Sequence, residues 1–111
     1  MKKLTLNEQI FLIAIWHLRE NAYGVRIREK IMSLTDSDIM FGTVYNTLEK
    51  LAKKGYVTAH KSRDGGDERG GHKKVFYSLT KEGMQALEKA RSLQETLWSG
   101  ISRNAFQEHE K

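Results

Sequence analysis

A run of seven apolar residues, 10–16, stands out in the hydrophobic pattern of the chain. Thr5 and Glu8 precede it with the spacing of a capping box, in which each side chain bonds the other residue's backbone N–H at a helix start. The pattern predicts a helix over about residues 6–21. Because seven apolar residues cover nearly two turns, every face of this helix is apolar, and we expect it to be surrounded on several sides.

Two amphipathic helices are predicted next. Ile27, Ile31 and Leu34 recur at helical spacing with charged residues between them, and the polar segment 35–38 predicts a turn. A third helix is predicted over 42–54, because its last residues are lysines and a glycine follows, which is typical of a helix C-terminus.

The second half of the chain predicts a hairpin and one more helix. Two short β-prone runs, 56–62 and 74–79, indicate two strands separated by a long tip. Thr80 is suited to cap a final helix over 81–106, where apolar residues recur at steps of three and four. This helix of about 26 residues would extend roughly 39 Å, further than a small domain is wide. A second copy of the chain is expected to cover its far end, as in a symmetric homodimer.

This order of elements predicts a mainly α fold with a small β-hairpin. Three helices and a two-stranded wing form a winged helix-turn-helix domain over residues 1–80, which we expect to bind DNA. The C-terminal region 81–111, which contains the long final helix, is expected to serve dimerisation.

Composition and charge narrow the function. The chain has 111 residues and a net charge of +5, with eight Lys/Arg against four Asp/Glu between positions 41 and 74, which suits a polyanionic partner. It contains no cysteine, so disulfides, thiolate metal sites and cysteine nucleophiles are excluded. With no apolar run near the roughly 20 residues that span a bilayer, we expect a cytoplasmic protein with no membrane contact. The four histidines are scattered, and no acid/base pair is apparent, so no metal, cofactor or catalysis is predicted.

The glycine-rich segment 63–74 is interpreted as the wing tip. Its glycines do not fit a dinucleotide fingerprint, and His72 stands where a phosphate loop of nucleotide hydrolases requires lysine. A strand also follows it, so no helix N-terminus is there to receive phosphate. The acidic residues in the tip would repel DNA unless they point away. The expected wing contacts with the sugar-phosphate backbone are Lys61, Arg63, Arg69, His72, Lys73 and Lys74.

The third helix has the pattern of a DNA-reading helix. Val44, Leu48 and Leu51 share one face, and short polar side chains and lysines fall opposite. Tyr45 lies between the faces, where it either packs on the second helix or offers its hydroxyl to a phosphate. We expect base contacts from Thr43, Asn46 and Thr47 and phosphate contacts from Lys50, Lys53 and Lys54, all in a major groove.

At these positions the sequence resembles the PadR-like transcriptional regulators, specifically their short subgroup with a single C-terminal helix. The resemblance spans about residues 4–87. The matching motifs are Tyr23-Gly24 with Ile27; Gly42-Thr43-Val44-Tyr45 with Leu48 and Leu51; Gly55-Tyr56-Val57; and Phe76-Tyr77-Ser78-Leu79-Thr80 ending in Gly83. Met40 stands where a capping Ser or Asn is common in that family.

The resemblance implies a homodimeric regulator of double-stranded DNA, usually a repressor, whose terminal helices pack against the partner's first helix. Some relatives release DNA on binding phenolic acids or flat aromatic drugs. In this chain the implied interface comprises Ile10, Phe11, Ala14, Leu87, Ala90, Leu93, Leu97, Trp98, Ile101 and Phe106.

Two alternatives remain open at this stage. Trp98 and Trp16 either line an effector pocket for a small aromatic ligand at the dimer interface or simply pack there. A winged-helix module that binds an acidic protein rather than specific DNA is the alternative function.

Overall fold

The computed structural model describes residues 3–61 and 74–101. These residues form a mainly helical fold with one two-stranded antiparallel sheet, as the sequence predicts. None of the described helices is long and apolar enough to cross a membrane. The elements are α1 (Leu6–Leu18) with a short 3-10 turn (Arg19–Asn21), α2 (Gly24–Thr35), α3 (Phe41–Lys53), β1 (Val57–Lys61), β2 (Val75–Leu79) and α4 (Lys81–Trp98).

The capping box fixes the start of α1. The Thr5 hydroxyl accepts a hydrogen bond from the Glu8 backbone N–H at 3.1 Å, and the Thr5 N–H donates to the Glu8 carboxylate at 2.9 Å. The helix ends at Leu18, before the predicted position 21, because Arg19 leaves helical geometry with φ 56°.

The core lies where α1 meets α2, α3 and the base of the hairpin. Leu34 is an exception to the predicted pattern: it is 49% exposed, although Ile27 and Ile31 are buried. Leu34 lies in the last turn of α2, which ends at a left-handed Asp36 (φ 53°) and extends past the core. The buried apolar residues are Phe11, Leu12, Ala14, Ile15, Ala22, Ile27, Ile31, Val44, Leu48, Leu51, Tyr56, Val57 and Ala86.

The base of the hairpin is joined to the segment before α2. β1 and β2 pair in the register Val57↔Leu79 to Lys61↔Val75. Tyr23 forms an additional antiparallel bridge with Phe76, and the Tyr77 N–H donates to the Ala22 carbonyl at 2.8 Å. β2 is therefore hydrogen-bonded both to β1 and to the segment before α2.

Thr80 caps α4 as predicted. Its hydroxyl accepts from the Gly83 N–H at 3.0 Å and donates to the Gly55 carbonyl at 2.6 Å. Gly83 packs directly on the Tyr56 carbonyl, so closely that a Cβ atom would overlap it. This contact fixes where α4 leaves the domain.

The predicted end of α4 is wrong. The helix stops at Trp98 because Ser99 has non-helical angles and Gly100 follows with φ 82°. The apolar spacing continues to Ile101 across this break, which is why the pattern suggested a longer helix. Residues 102–106 lie outside the described part of the chain.

Candidate nucleic-acid interface

Three buried side chains, Val44, Leu48 and Leu51, fix the orientation of α3, and each is fully inaccessible to solvent. As the helical phase predicts, Thr43, Asn46, Lys50 and Lys53 are exposed. The basic and polar face of α3 is therefore open to solvent, and the contacts assigned to these four residues stay predictions.

The prediction that Thr47 faces outward is wrong. Only 8% of the residue is exposed, and its hydroxyl accepts a 3.5 Å hydrogen bond from the Asn7 amide. A step of 100° per residue places position 47 close to the angular position of Leu51, at the edge of the buried face. Thr47 consequently joins α3 to α1 and offers no side chain to DNA bases.

Lys54, the C-cap residue of α3, forms an ion pair with Glu8 of α1. The Glu8 side chain is 7% exposed and that of Lys54 32%. Burial by itself raises the pKa of Glu8, but the hydrogen bond from Lys54, those from Thr5 and the Lys54 charge outweigh it and lower the pKa overall. Lys54 thus neutralises a buried carboxylate. In this it differs from Lys50 and Lys53, whose side chains are exposed to solvent. Sequence reasoning missed this pair because no local pattern links residues 46 positions apart.

Glu49 places a carboxylate on the outward face of α3, which the sequence interpretation also missed. It lies 3.4 Å from the Lys53 ammonium, with both side chains at least 65% exposed. Such exposed pairs contribute little and exchange readily. Lys53 can therefore turn towards a phosphate at small cost.

Tyr45 packs against the N-terminus of α2, one of the two predicted alternatives. Its ring covers Gly24 so closely that a Cβ there would lie 2.5 Å from the Tyr45 hydroxyl, and it stacks on Phe41 with centroids 6.4 Å apart. Burial raises the pKa of the neighbouring Tyr77, with Tyr45 and Glu49 adding to the effect.

Arg28 fixes the turn between α2 and α3. Its Nε donates to the Ile39 carbonyl at 2.6 Å, and its guanidinium lies 4.5 Å from the centroid of the Phe41 ring. Charged hydrogen bonds and cation–π contacts of this kind restrain the angle between the two helices. Arg28 therefore positions the start of α3.

The wing cations fall into two groups. Lys61 ends β1 and Lys74 directly precedes β2; both are exposed. The predicted contacts Arg63, Arg69, His72 and Lys73 lie outside the described residues. The Lys74 ammonium lies 4.4 Å from the centroid of the Tyr23 ring, which brings it to the beginning of α2.

The predicted dimer interface is wrong at Phe11 and Ala14, which are fully buried in the core of their own chain. The exposed side of α1 is formed instead by Ile13 (40% exposed) and Trp16 (43%). The seven-residue apolar run could not indicate which face its own chain covers. Of the other predicted interface residues, Ile10, Leu87 and Ala90 are half-buried, Leu93, Leu97, Trp98 and Ile101 are exposed, and Phe106 lies outside the described residues.

A groove of about 730 Å³ runs between α1 and α4. Trp16 lines it, but Trp98 does not; the Trp98 indole N–H donates to Gln94 at 3.0 Å. A single chain thus does not bring the two tryptophans into one pocket. The lining residues are Gln9, Ile13, Trp16, His17, Met84, Leu87, Glu88, Arg91 and Gln94.

Comparisons with known proteins agree with this geometry. The model of the family described as "Transcriptional regulator PadR-like family" matches residues 13–89, and no curated protein matches the chain. A winged-helix DNA-binding protein from STIV is similar with a TM-score of 0.69 at 21% identity, covering 91% of this chain and 100% of that one. A PadR family regulator from Eggerthella lenta gives 0.65 at 20% identity, with 86% and 80% covered. Bordetella bronchiseptica BpsR, whose DNA binding is regulated by 6-hydroxynicotinic acid, gives 0.61 at 22% identity, with 92% and 70% covered.

Proposed function

This chain belongs to the PadR-like family of transcriptional regulators, which are not enzymes, and from that premise we propose that it acts as a cytoplasmic homodimeric repressor. In this proposal the dimer binds an inverted-repeat operator in double-stranded DNA and is released by a small aromatic effector. The exposed basic face of α3 is the single observation that carries the proposal.

The DNA contacts follow from the chemistry of that face. Asn46 and Thr43 carry the short hydrogen-bonding groups that suit base edges in a major groove, and Lys50 and Lys53 carry the charges that suit phosphates. Each chain inserts one α3, and the described wing cations, Lys61 and Lys74, run along the backbone beside it.

Dimerisation is supported by the uncovered half of α4. Every residue from 91 to 101 is exposed, including four large apolar side chains. Large apolar side chains left exposed along the end of α4 and at Ile101 just beyond it are typical of an interaction surface, so a second copy that covers them supplies the missing packing. The four side chains are Leu93, Leu97, Trp98 and Ile101.

Effector binding is supported by the groove between α1 and α4. Its apolar walls include Trp16, Ile13 and Met84. Arg91 contributes a guanidinium whose 3.0 Å pair with Glu95 is exposed at both ends, so it can exchange this partner for the carboxylate of a ligand. In a dimer, the partner's Trp98 would extend the aromatic wall. An aromatic acid fits this groove with its ring on the apolar surface and its carboxylate on Arg91, away from Glu88, which also lines the groove.

Selection of bound fragments from genomic DNA tests the whole proposal. We expect an inverted repeat with half-sites about 34–36 Å apart, which is one helical turn of DNA. Deleting the gene should raise transcription from the promoter that carries the selected site. Weak binding without sequence preference would instead favour a module that binds acidic proteins.

Point variants separate the roles of individual side chains. Lys50→Ala and Lys53→Ala should each weaken binding to all DNA and lower the slope of log K against log salt by about one. Asn46→Ala should mainly relax base preference, by about 1–3 kcal/mol at one position. Lys89→Ala, on the exposed side of α4, is the matched control and should change neither quantity. Identical behaviour of the Asn46 and Lys53 variants would refute these assignments.

Tryptophan fluorescence tests the effector site. Titration with 6-hydroxynicotinic acid and with planar uncharged aromatics should quench or shift the emission and reduce operator binding. Arg91→Gln should weaken the response to the acid more than the response to the neutral compounds. A flat titration with every compound would exclude the groove as a ligand site.

A further inference from the structure

Tyr23 occupies a rigidly held position between the helices and the hairpin. Its N–H donates to the Asn21 carbonyl at 3.0 Å, and its own carbonyl accepts from the Ile27 N–H at 2.8 Å. Its ring meets the Phe76 ring edge-on with centroids 5.4 Å apart, next to the bridge between the two backbones. The phenol group is therefore presented in a fixed direction by the fold.

Two cations converge on this phenol. Arg26 Nε donates to the Tyr23 hydroxyl oxygen at 3.2 Å, and the Lys74 ammonium lies 4.4 Å from the ring centroid. The hydrogen bond from Arg26 lowers the pKa of Tyr23, and the Lys74 charge adds to this against the effect of burial. The cluster combines one hydroxyl and two positive charges drawn from α2 and from the base of the wing.

Among the residues that the structure describes, Glu29 is an acidic side chain in contact with the cluster. Its carboxylate lies 3.7 Å from an Arg26 guanidinium nitrogen, with 57% of the Arg26 side chain and 59% of the Glu29 side chain exposed. An exposed pair of this length is weak and leaves the guanidinium able to reorient. Counted over residues 3–61 and 74–101, Arg26, Lys74 and Glu29 thus leave the cluster with a net positive charge.

The position of the cluster matches that of a DNA backbone. Tyr23 directly precedes Gly24, on which Tyr45 of α3 packs, and Lys74 leads into β2 of the wing. The cluster therefore lies between the outward face of α3 and the wing. In helix-turn-helix proteins the helix before the recognition helix crosses the sugar-phosphate backbone.

We propose that Tyr23, Arg26 and Lys74 form a clamp for one backbone phosphate of the operator, an inference that rests on the proposed function. Because Arg26 occupies a lone pair of the Tyr23 oxygen, the hydroxyl proton is directed outward and donates to a phosphate oxygen. The remaining guanidinium N–H groups and the Lys74 ammonium supply charge-assisted hydrogen bonds to the same phosphodiester.

Tyr23→Phe removes the hydroxyl, and with it the hydrogen bond from Arg26, while the ring contacts with Phe76 and Lys74 are kept. We expect roughly ten- to hundredfold weaker binding to operator and to random DNA alike, the loss of one hydrogen bond to a charged group. Lys74→Ala should lower the salt slope by about one. Glu29→Gln should have the opposite effect and strengthen DNA binding two- to threefold, because it frees the Arg26 guanidinium from its ion pair with residue 29.

A scan with single neutral methylphosphonates locates the phosphate. One substitution per half-site should weaken wild-type binding, and it should weaken binding of the Tyr23→Phe variant less, because Arg26 and Lys74 remain but the hydroxyl contact is already lost. Lys89→Ala is the control for charge, and circular dichroism melting confirms that each variant is folded. If the wild type and Tyr23→Phe respond alike at every phosphate, there is no clamp.

The failure of the clamp is distinguishable from failure of the proposed function. If wild-type protein selects an operator and Lys53→Ala weakens binding, but the Tyr23 and Lys74 variants behave like Lys89→Ala, only the clamp is refuted. If wild-type protein shows no salt-dependent DNA binding at all, both the proposed function and the clamp are refuted.

Discussion

Replacing Glu8 with glutamine should destabilise the fold by about 1–2 kcal/mol. This lies between the roughly 3–5 kcal/mol lost when a fully buried ion pair is broken and the 0.2–1 kcal/mol of an exposed pair. The intermediate value follows from the geometry, because the Glu8 side chain is 7% exposed but that of Lys54 is 32% exposed. The unpaired ammonium can therefore turn back towards water. Glutamine also retains an oxygen that accepts the Thr5 N–H, so the helix cap survives.

The pH dependence identifies the cause of the loss. The folded protein holds the pKa of Glu8 below its ordinary value of 4.5, so the carboxylate stabilises the fold fully above that value. This contribution is lost as the pH falls through the lower pKa of the folded state. The stability gap between wild type and Glu8→Gln should thus be constant from pH 7 to about 5 and close below 4.5.

Urea denaturation at fixed protein concentration, repeated from pH 7 to 3, measures this gap. Glu49→Gln is the matched control, because its pair with Lys53 is exposed at both ends. It should change the free energy of unfolding by less than about 0.5 kcal/mol. A gap for Glu8→Gln that persists unchanged at pH 3, or that equals the control, would refute the role of the buried pair.

Three further substitutions probe other parts of the fold. Gly83→Ala should lower the free energy of unfolding by about 2 kcal/mol in urea titrations, because its Cβ overlaps the Tyr56 carbonyl, whereas Gly42→Ala meets open space and should not. Met40→Asp should raise stability by about 1 kcal/mol, since Met40 is the α3 N-cap with extended backbone and no side-chain cap bond; an unchanged thermal midpoint would contradict this. Leu97→Ser should shift the sedimentation mass at micromolar concentration towards the 12.8 kDa monomer, with Lys89→Ala unchanged; a dimer that withstands Leu97→Ser would place the interface elsewhere.

The order of the elements was predictable because their start signals are local. Thr5 with Glu8 and Thr80 with Gly83 lie three residues apart, so the sequence displays both caps directly. The buried apolar residues of α3 were likewise predictable from the 3.6-residue period of the helix, whereas Thr47, at the edge of the same face, was not. The end of α4 was not, because apolar spacing continues across Gly100, where the backbone alone breaks the helix.

The details of the site depend on contacts between distant positions. The pairing of Glu8 with Lys54 and the bond from Asn7 to Thr47 join α1 to α3 across more than 40 residues of sequence, and no periodicity reports them. Tyr23, Arg26 and Lys74 come together only because β2 returns beside the start of α2. All residues of the run 10–16 in α1 are apolar, so the sequence does not show which side of the helix is buried. The buried Phe11 could therefore not be distinguished from the exposed Ile13.

The bridge between Tyr23 and Phe76 makes the base of the hairpin a continuation of the helical body. A rotation of the segment that joins α1 to α2 would therefore move β2 and the base of the hairpin with it. Such a coupled movement would leave the pairing of β1 with β2 intact.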